Sequence, residues 1–408
     1  MRQPTLTIFY QFNPWSPTIG GIQTCIRYIL KYAPKDIHIR LVGTGNGDPK
    51  MPIGQWHEAE LFGRNFSFMP LIELKNDNFR GLVPTTVKYT MALLGHDFSS
   101  DFLQFHRIEA SLGSSGWSGK RIFYIHNDID QEMRGTNQGG GILWRHIPWA
   151  YFALERRLVR QFDRIFSCNT KAANQYKERY PQIADNVSYL VNTVDSDVFY
   201  SVSPEEKEEG RIKLAQELGL STDTRFILFA GRLHPQKQPL LLVRSFAELN
   251  QPNTHLLIVG QGELEEEVRA EITRLGLTDR VTIFGPLPQT KLANFYRVSS
   301  MFVLTSAYEG LCRGSIEALA CGTPVVTTRA GETPNFLSAD SGIVVDEQTP
   351  EAIASAWKQV LINPHNYPSE ACVRVVKPYD ARYVVNGIYT ELLENWRDGQ
   401  GQLLKAYA

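Results

Sequence analysis

Long apolar runs are missing from this chain of 408 residues. Nothing in it reaches the roughly 18 apolar residues that a membrane-crossing helix needs, so no span is expected. Cysteine is scarce and poorly spaced for metal or redox work. The five are Cys25, Cys168, Cys312, Cys321 and Cys372, and no two form a C-x-x-C pair. This excludes a zinc knuckle and a disulfide framework, and points to buried thiols in a reducing compartment, the cytoplasm. Net charge is also lacking. The chain has 42 Lys+Arg against 43 Asp+Glu, leaving −1, so nothing draws it as a whole towards nucleic acid. The apolar-leaning stretch Thr5–Phe12 before Asn13-Pro14 is too short for a leader with a cleavage site. It reads as a first strand.

What is present is an ordinary globular composition, 43% hydrophobic and 21% charged. A chain of this length exceeds one core, so two or three domains are expected. Short runs of Ile, Val, Leu and Phe without alternation mark strands buried on both faces. In the first half they are Leu6–Tyr10, Ile37–Val42, Arg121–Ile125, Arg164–Ser167 and Val187–Leu190. In the second half they are Phe226–Ala230, His255–Val259, Val281–Phe284, Met301–Leu304, Thr323–Thr327 and Gly342–Val345. Helical patterns separate them, over Ile22–Tyr32, Tyr151–Phe162, Leu240–Leu249, Leu264–Leu275, Gln289–Ser299, Gly314–Ala320 and Pro350–Leu361. The alternation means an α/β protein. The polar, acidic stretch "SVSPEEKEEG", Ser201–Gly210, reads as a solvated linker. It divides the chain into two doubly wound domains, residues 1–200 and 211–385.

Two loops in the second half carry the chemistry. In "FILFAGRLHPQKQPLLLV" a buried strand ends at Gly231, Arg232 and Lys237 follow, and a helix opens near Pro239. Cations beside a helix start, at the carboxyl end of a parallel strand, suit a diphosphate: Arg offers a planar fork and Lys a point charge. Solvated surface charge is the plainer reading of that loop alone. In "YEGLCRGSIEALACGTPVV" Glu309 and Glu317 stand eight residues apart across a helix start. Glu309 sits in the loop before Gly310, Leu311 and Cys312, whose N–H groups head the helix. Glu317 lies about one turn in. A carboxylate can accept from two adjacent sugar hydroxyls while nearby N–H groups meet phosphate. One glutamate for each sugar of a nucleotide-sugar is the reading that uses both.

The G-R-L-x-x-x-K loop, the E-x7-E pair 77 residues on (Arg232 to Glu309) and "ALACGTPVV" together resemble the retaining glycosyltransferases of the GT4 class, glycosyl transferases group 1. The resemblance covers most of the chain and is strongest over residues 226–346. It implies the GT-B architecture: two Rossmann-like domains facing across a cleft, the first on the acceptor side and the second binding the nucleotide-sugar. Asn386–Trp396 resembles the family's terminal helix, so residues 386–408 are expected to cross back to the first domain. The backbone at Pro286-Leu287 is placed at the nucleobase, and Glu317 at the ribose. Glu309 and His126, in "RIFYIHND", are placed at the donor sugar. Gly20 and Gly21, in "PTIGGIQTCIRYIL", approach the donor phosphate or sugar. A lone His after a strand would by itself read as structural, and a plain strand–helix turn is the alternative for the Gly-Gly pair. "YLVNTVDSDVF" resembles the segment that ends the first domain, with Thr193 in place of Gly. Other departures are Gln238 for the usual Gly, Cys312 where Gly or Pro is common, and Arg313 and Gly314 for apolar residues. Arg313 could reach a charged donor or acceptor, or face water.

The function implied is transfer of a hexose-type sugar, with retention, from a nucleotide-sugar to a glycan, lipid-linked glycan or other hydroxyl acceptor. A UDP-sugar is favoured over a GDP-sugar. Arg232 and Lys237 would stabilise the departing diphosphate, so no metal or separate cofactor is expected. The resemblance suggests front-face substitution, in which the leaving phosphate helps take the acceptor proton. Two other classes stay open: a sugar-nucleotide epimerase or hydrolase of the same fold, and a binding module that holds nucleotide without turnover.

Three motifs mislead. "GTGNG" (43–47) follows a strand but opens no helix, and "GQGELEEEV" (260–268) lacks a third Gly, so a nicotinamide site is not expected. "DID" (128–130) mimics a metal-binding D-x-D of one-domain glycosyltransferases, which this two-domain pattern does not match. One helix raises a partner question. In "LWRHIPWAYFALERRLVRQFDRIF", Tyr151, Leu154, Leu158 and Phe162 form a core stripe, with Trp149, Arg156 and Arg160 opposite. That basic, Trp-bearing face could rest on an anionic membrane, giving peripheral contact at its inner side, or meet a charged acceptor, or simply be solvated.

Overall fold

The computed structural model describes residues 2–15, 20–74, 84–126 and 147–406. It divides into two α/β units. The first comprises the described residues up to Val191 together with those from Ala381 onward, and the second runs from Asn192 to Asp380.

The first unit contains β1 (Thr5–Phe9), α1 (Gly21–Tyr32), β2 (His38–Gly45), β3 (His57–Leu61), β4 (Arg64–Glu73), α2 (Thr85–Leu93), β5 (Phe102–Phe105), β6 (Lys120–Ile125), α3 (Pro148–Leu158), β7 (Arg164–Ser167), α4 (Thr170–Arg179) and β8 (Val187–Tyr189). Its eight strands lie in the order β3-β4-β2-β1-β5-β6-β7-β8. All neighbours are parallel except the hairpin β3-β4. Apolar side chains cover both faces, with Phe9, Phe105 and Phe123 in one cluster and Leu6, Ile8 and Leu41 in the other.

The second unit contains α5 (Pro204–Glu217), β9 (Arg225–Ala230), α6 (Pro239–Leu249), β10 (Thr254–Val259), α7 (Glu265–Arg274), β11 (Val281–Phe284), α8 (Gln289–Val298), β12 (Ser299–Leu304), α9 (Arg313–Ala320), β13 (Val325–Thr328), α10 (Thr333–Phe336), β14 (Gly342–Val345), α11 (Pro350–Ile362) and α12 (Ser369–Val376). Its six strands are all parallel, in the order β11-β10-β9-β12-β13-β14. The order reverses between β9 and β12. In open parallel sheets that switch point is where ligands bind, at the carboxyl ends of the strands. A last helix, α13 (Ala381–Ala406), belongs to the first unit. It buries Ala381, Val385, Tyr389 and Leu393 in the cluster that holds Leu6 and Ile8.

Several elements differ from the sequence reading. The expected linker is not a linker. Ser203 caps α5 by accepting from the Glu206 N–H while the Glu206 side chain accepts from the Ser203 N–H, so the acidic run is a helix start. The units part at Asn192, ahead of that helix. β4 escapes the sequence because Pro70 interrupts it. The β2 ladder shifts register there, pairing Gly43 with Pro70 and Thr44 with Ile72. β5 escapes because the polar Gln104 interrupts its apolar run. The expected stripe holds at Tyr151 and Leu158 of α3 and at Phe162 beyond its end, while Leu154 is only half-buried. Glu155 is buried instead, accepting from the hydroxyls of Tyr151 (3.1 Å), Tyr180 (2.6 Å) and Tyr176. Burial holds its carboxyl above the usual range, and the three tyrosine donors offset that only in part.

One buried histidine makes the fold acid-sensitive. His255 on β10 contacts the Thr282 hydroxyl through Nε2 at 2.7 Å. Burial, with help from Arg280, lowers its pKa from 6.5 to about 4. The unfolded chain therefore binds this proton more readily. Its contribution is complete above pH 6.5 and is lost as pH falls towards 4. Wild-type protein should lose roughly 1–2 kcal/mol more than His255→Asn over that interval, measured by urea unfolding. Parallel pH curves for the two proteins would refute this account.

Candidate active site

The switch point of the second unit brings two loops together. After β9 come Gly231 and Arg232, then a single 3-10 turn, Pro235–Lys237. Gln238 caps α6 with φ 47° and ψ 55°, a left-handed backbone that glycine adopts most readily. That geometry accounts for the departure noted in the sequence, because the position favours Gly. By contrast Thr193, also in place of a Gly, has no positive φ and carries no such strain.

After β12 the chain runs Thr305, Ser306, Ala307, Tyr308, Glu309 and Gly310 into α9. The two loops are sewn by several bonds. The Ala307 N–H donates to the Gln236 carbonyl at 2.8 Å, and Gln236 Nε2 donates to the Tyr308 carbonyl at 3.0 Å. Thr305 Oγ1 donates to the Lys237 carbonyl at 2.8 Å. At the centre the Lys237 ammonium forms an ion pair with Glu309 Oε1, which also accepts from Ser306 Oγ at 2.6 Å. Glu309 is 8% exposed. Burial would lower the Lys237 pKa, but the Cys312 sulfur at 4.0 Å and the Glu309 carboxylate raise it above the ordinary lysine value. The Cys312 thiol is pushed up by burial, against the pull of Lys237.

Two features of this loop pair lack protein partners. The Arg232 guanidinium is exposed and has no ion pair among the described residues, and it lies near enough to Lys237 to oppose that charge. The N–H groups of Gly310, Leu311 and Cys312 donate to no protein acceptor among the described residues. An unpaired cation and three consecutive unpaired N–H groups at the head of a helix form an anion-binding arrangement. Gly331 keeps the loop close. A Cβ there would lie 2.1 Å from the Gly310 carbonyl oxygen and 2.6 Å from Glu309 Cβ.

Glu317 is buried one turn into α9, 9% exposed, and accepts from the Tyr296 hydroxyl at 3.2 Å. Burial raises its pKa, while Arg313 and Tyr296 lower it. Arg313 turns inward, donating through Nη1 to the Thr193 carbonyl at 3.0 Å, rather than facing water. Asn192 Nδ2 donates to the Leu311 carbonyl at 3.0 Å, so the segment that opens the second unit is tied to the start of α9. Pro286 is exposed and Leu287 half-buried in the loop after β11.

Arg232, Lys237, Glu309, Gly310, Leu311 and Cys312 are thus one cluster, with Glu317 behind it in α9. Gly20, Gly21 and His126 belong to the first unit. Gly20 and Gly21 are exposed at the start of α1, where the Gly20 N–H donates to the Gln23 side chain. His126 follows β6, half-buried, its Nε2 2.8 Å from His106 Nδ1. Asp128 and Asp130 lie outside the described residues. Among the described residues no three His, Cys, Asp or Glu side chains gather as a metal site. The sequence reading missed Ser306, Tyr296, Gln236 and His106. Ser306 could have been found from its spacing, three residues before Glu309. Tyr296 and Gln236 become neighbours only through the sheet order.

Residues 210–376 match the family described as glycosyl transferases group 1. The D-inositol 3-phosphate glycosyltransferase of Segniliparus rotundus is 32% identical over 217 residues, 52% of this chain and 47% of that protein. The chain thus spans about half the length of the curated relatives it matches. The folds agree more widely. Sucrose-phosphate synthase from Thermosynechococcus elongatus superposes with a TM-score of 0.76 at 18% identity, covering 99% of this chain and all of that one. Anabaena HepE, solved in complex with UDP and glucose, gives 0.71 at 18% identity, covering 96% and 100%. The architecture is that of the GT-B glycosyltransferases. The family match lies within the second unit, and it is the family that the motifs resemble.

The Lys237–Glu309 pair gives a direct test. Lys237→Met leaves a buried carboxylate alone and should cost about 3 kcal/mol in urea unfolding. Adding Glu309→Leu should restore part of that loss, because the pair is removed together. Additive losses would show that the two side chains do not depend on each other.

Proposed function

We propose that this chain is a retaining, metal-independent glycosyltransferase. It moves a hexose-type sugar from a nucleotide-sugar, a UDP-sugar before a GDP-sugar, to a hydroxyl on a glycan or lipid-linked glycan. The observation that carries the reading is Arg232 beside Lys237 and the N–H groups of Gly310–Cys312, unpaired among the described residues and all at the switch point. A diphosphate supplies the anion that this arrangement lacks. Support also comes from the D-inositol 3-phosphate glycosyltransferase relatives and from HepE, solved with UDP and glucose.

In this proposal Arg232 and Lys237 stabilise charge as the nucleoside diphosphate departs. Glu317 accepts from the ribose hydroxyls, and the backbone at Pro286-Leu287 meets the base. Glu309 and His126 meet the donor sugar, and Gly20 and Gly21 its phosphate side. Glu309 is already engaged by Lys237 and Ser306. It would therefore act as an oriented acceptor of sugar hydroxyls and not as a mobile nucleophile. Front-face substitution needs no nucleophile from the protein, since the leaving phosphate helps take the acceptor proton.

Thermal unfolding with UDP, GDP and ADP at matched concentration tests the donor site. The preferred nucleotide at about 100 times its Kd should add roughly 2.7 kcal/mol, and Arg232→Ala should abolish most of that gain. Stabilisation by none of the three would remove the basis of the proposal. Release of free nucleotide without acceptor, faster than slow leakage, would favour an epimerase or hydrolase instead.

We also propose that the first unit rests against an anionic membrane. No helix among the described residues is long and apolar enough to cross one. Trp149 is 74% exposed on α3, Ile147 just before it is also exposed, and Arg156 and Arg160 face solvent. Aromatic and basic residues of this kind suit the interface of a bilayer. Wild-type protein should float with vesicles containing anionic lipid, and Arg156→Glu/Arg160→Glu should not. Sedimentation of both proteins away from vesicles would end the membrane reading.

A further inference from the structure

In the first unit, His126 takes part in a row of hydrogen bonds that runs in from the core. His106 stands one residue beyond β5 and His126 one residue beyond β6, and these strands are parallel neighbours. His106 Nδ1 lies 2.8 Å from His126 Nε2. Its other nitrogen, Nε2, lies 2.8 Å from Gln104 Nε2. Gln104 Oε1 in turn accepts from the hydroxyl of Tyr389 on α13. Tyr124 OH lies 3.5 Å beyond Tyr389 OH. Gln104 and Tyr389 are fully buried and His106 is 2% exposed. The rings of Tyr124, His106 and His126 are stacked, with the two histidine centroids 5.1 Å apart.

The direction of this row follows from the donors each group owns. A phenol donates one hydrogen, and an amide has an accepting oxygen and a donating nitrogen. Burial pushes the Tyr389 hydroxyl well above its ordinary pKa, so it keeps its hydrogen. It spends that hydrogen on Gln104 Oε1, which turns the amide nitrogen to His106 Nε2. That nitrogen must accept. Burial and the neighbouring His126 hold the His106 pKa well below the ordinary value, so the ring is neutral. A neutral imidazole that accepts at Nε2 donates at Nδ1. His126 Nε2 must therefore accept, and the hydrogen of neutral His126 sits on Nδ1.

We propose that Tyr389, Gln104 and His106 are positioning residues that fix His126 as the neutral Nδ1–H tautomer. Its functional value rests on the reading of His126 as a donor-sugar contact. Under that reading, any sugar oxygen that contacts Nδ1 of His126 meets an N–H and not a lone pair, and the ring cannot turn over without breaking the row.

The test is the tautomer itself. Long-range nitrogen–proton correlation spectra of the full chain, labelled with 15N histidine, should show hydrogen on Nδ1 in both His106 and His126. Hydrogen on Nε2 of His126 overturns the proposal, and this needs no variant. Tyr389→Phe removes only the hydroxyl. It should mix the His126 tautomers and lower kcat about two- to tenfold, the worth of one hydrogen bond, with donor KM little changed. An unchanged tautomer and unchanged kcat in that variant also overturn the proposal. Failure of the donor-sugar reading looks different: His126→Ala would transfer sugar at the wild-type rate, while the wild-type tautomers stayed as described.

Discussion

The ion pair between Lys237 and Glu309 exists because β9 and β12 are neighbours. Their residues are 72 positions apart, and only the reversal of strand order sets the two loops side by side. A buried carboxylate without its cation would be untenable, and so would the cation without its carboxylate. Each loop therefore fixes the other. The exposed Arg232, the Ser306 hydroxyl and the head of α9 take their positions from that mutual constraint. Charge is concentrated where two parallel strands diverge, and the apolar sheet beneath keeps it in place.

Most of the second unit is legible in the sequence because each of its strands is built on a short apolar run without strict alternation. Buried on both faces, such strands show no alternation to be confused with a surface sheet. The ranges Val281–Phe284 and Gly342–Val345 coincide with β11 and β14. The cluster around Glu309 is legible for a different reason. Its members come in two tight motifs, each confined to one strand–helix junction. The first unit is harder to read. Pro70 hides β4, and Gln104 breaks the apolar run of β5. The acidic helix start at Ser203 has the composition of a linker, and only its reciprocal cap separates the two.

Buried polar groups are the least legible. Glu155 reads as part of a solvated basic helix, yet it accepts from three tyrosines spread over α3, α4 and the turn after α4. Nothing local in "FALERRL" announces that. His106 is similar: its significance comes from Gln104, two residues away on β5, and from Tyr389, 285 positions beyond Gln104. Where polar partners are remote in sequence, only the assembled sheet reveals what a side chain is for.

The course of the chain has a consequence for its biogenesis. The second unit is continuous, from Asn192 to Asp380, whereas the first is completed by α13, which supplies Ala381, Val385, Tyr389 and Leu393 to its core. On the ribosome the middle of the chain can reach its final packing while the beginning still waits for residues not yet made. Until then, the part of the first unit's core that α13 covers stays exposed, although α1 can already pack on the same face. Chaperone demand should therefore centre on the half of the protein that is translated first and finished last.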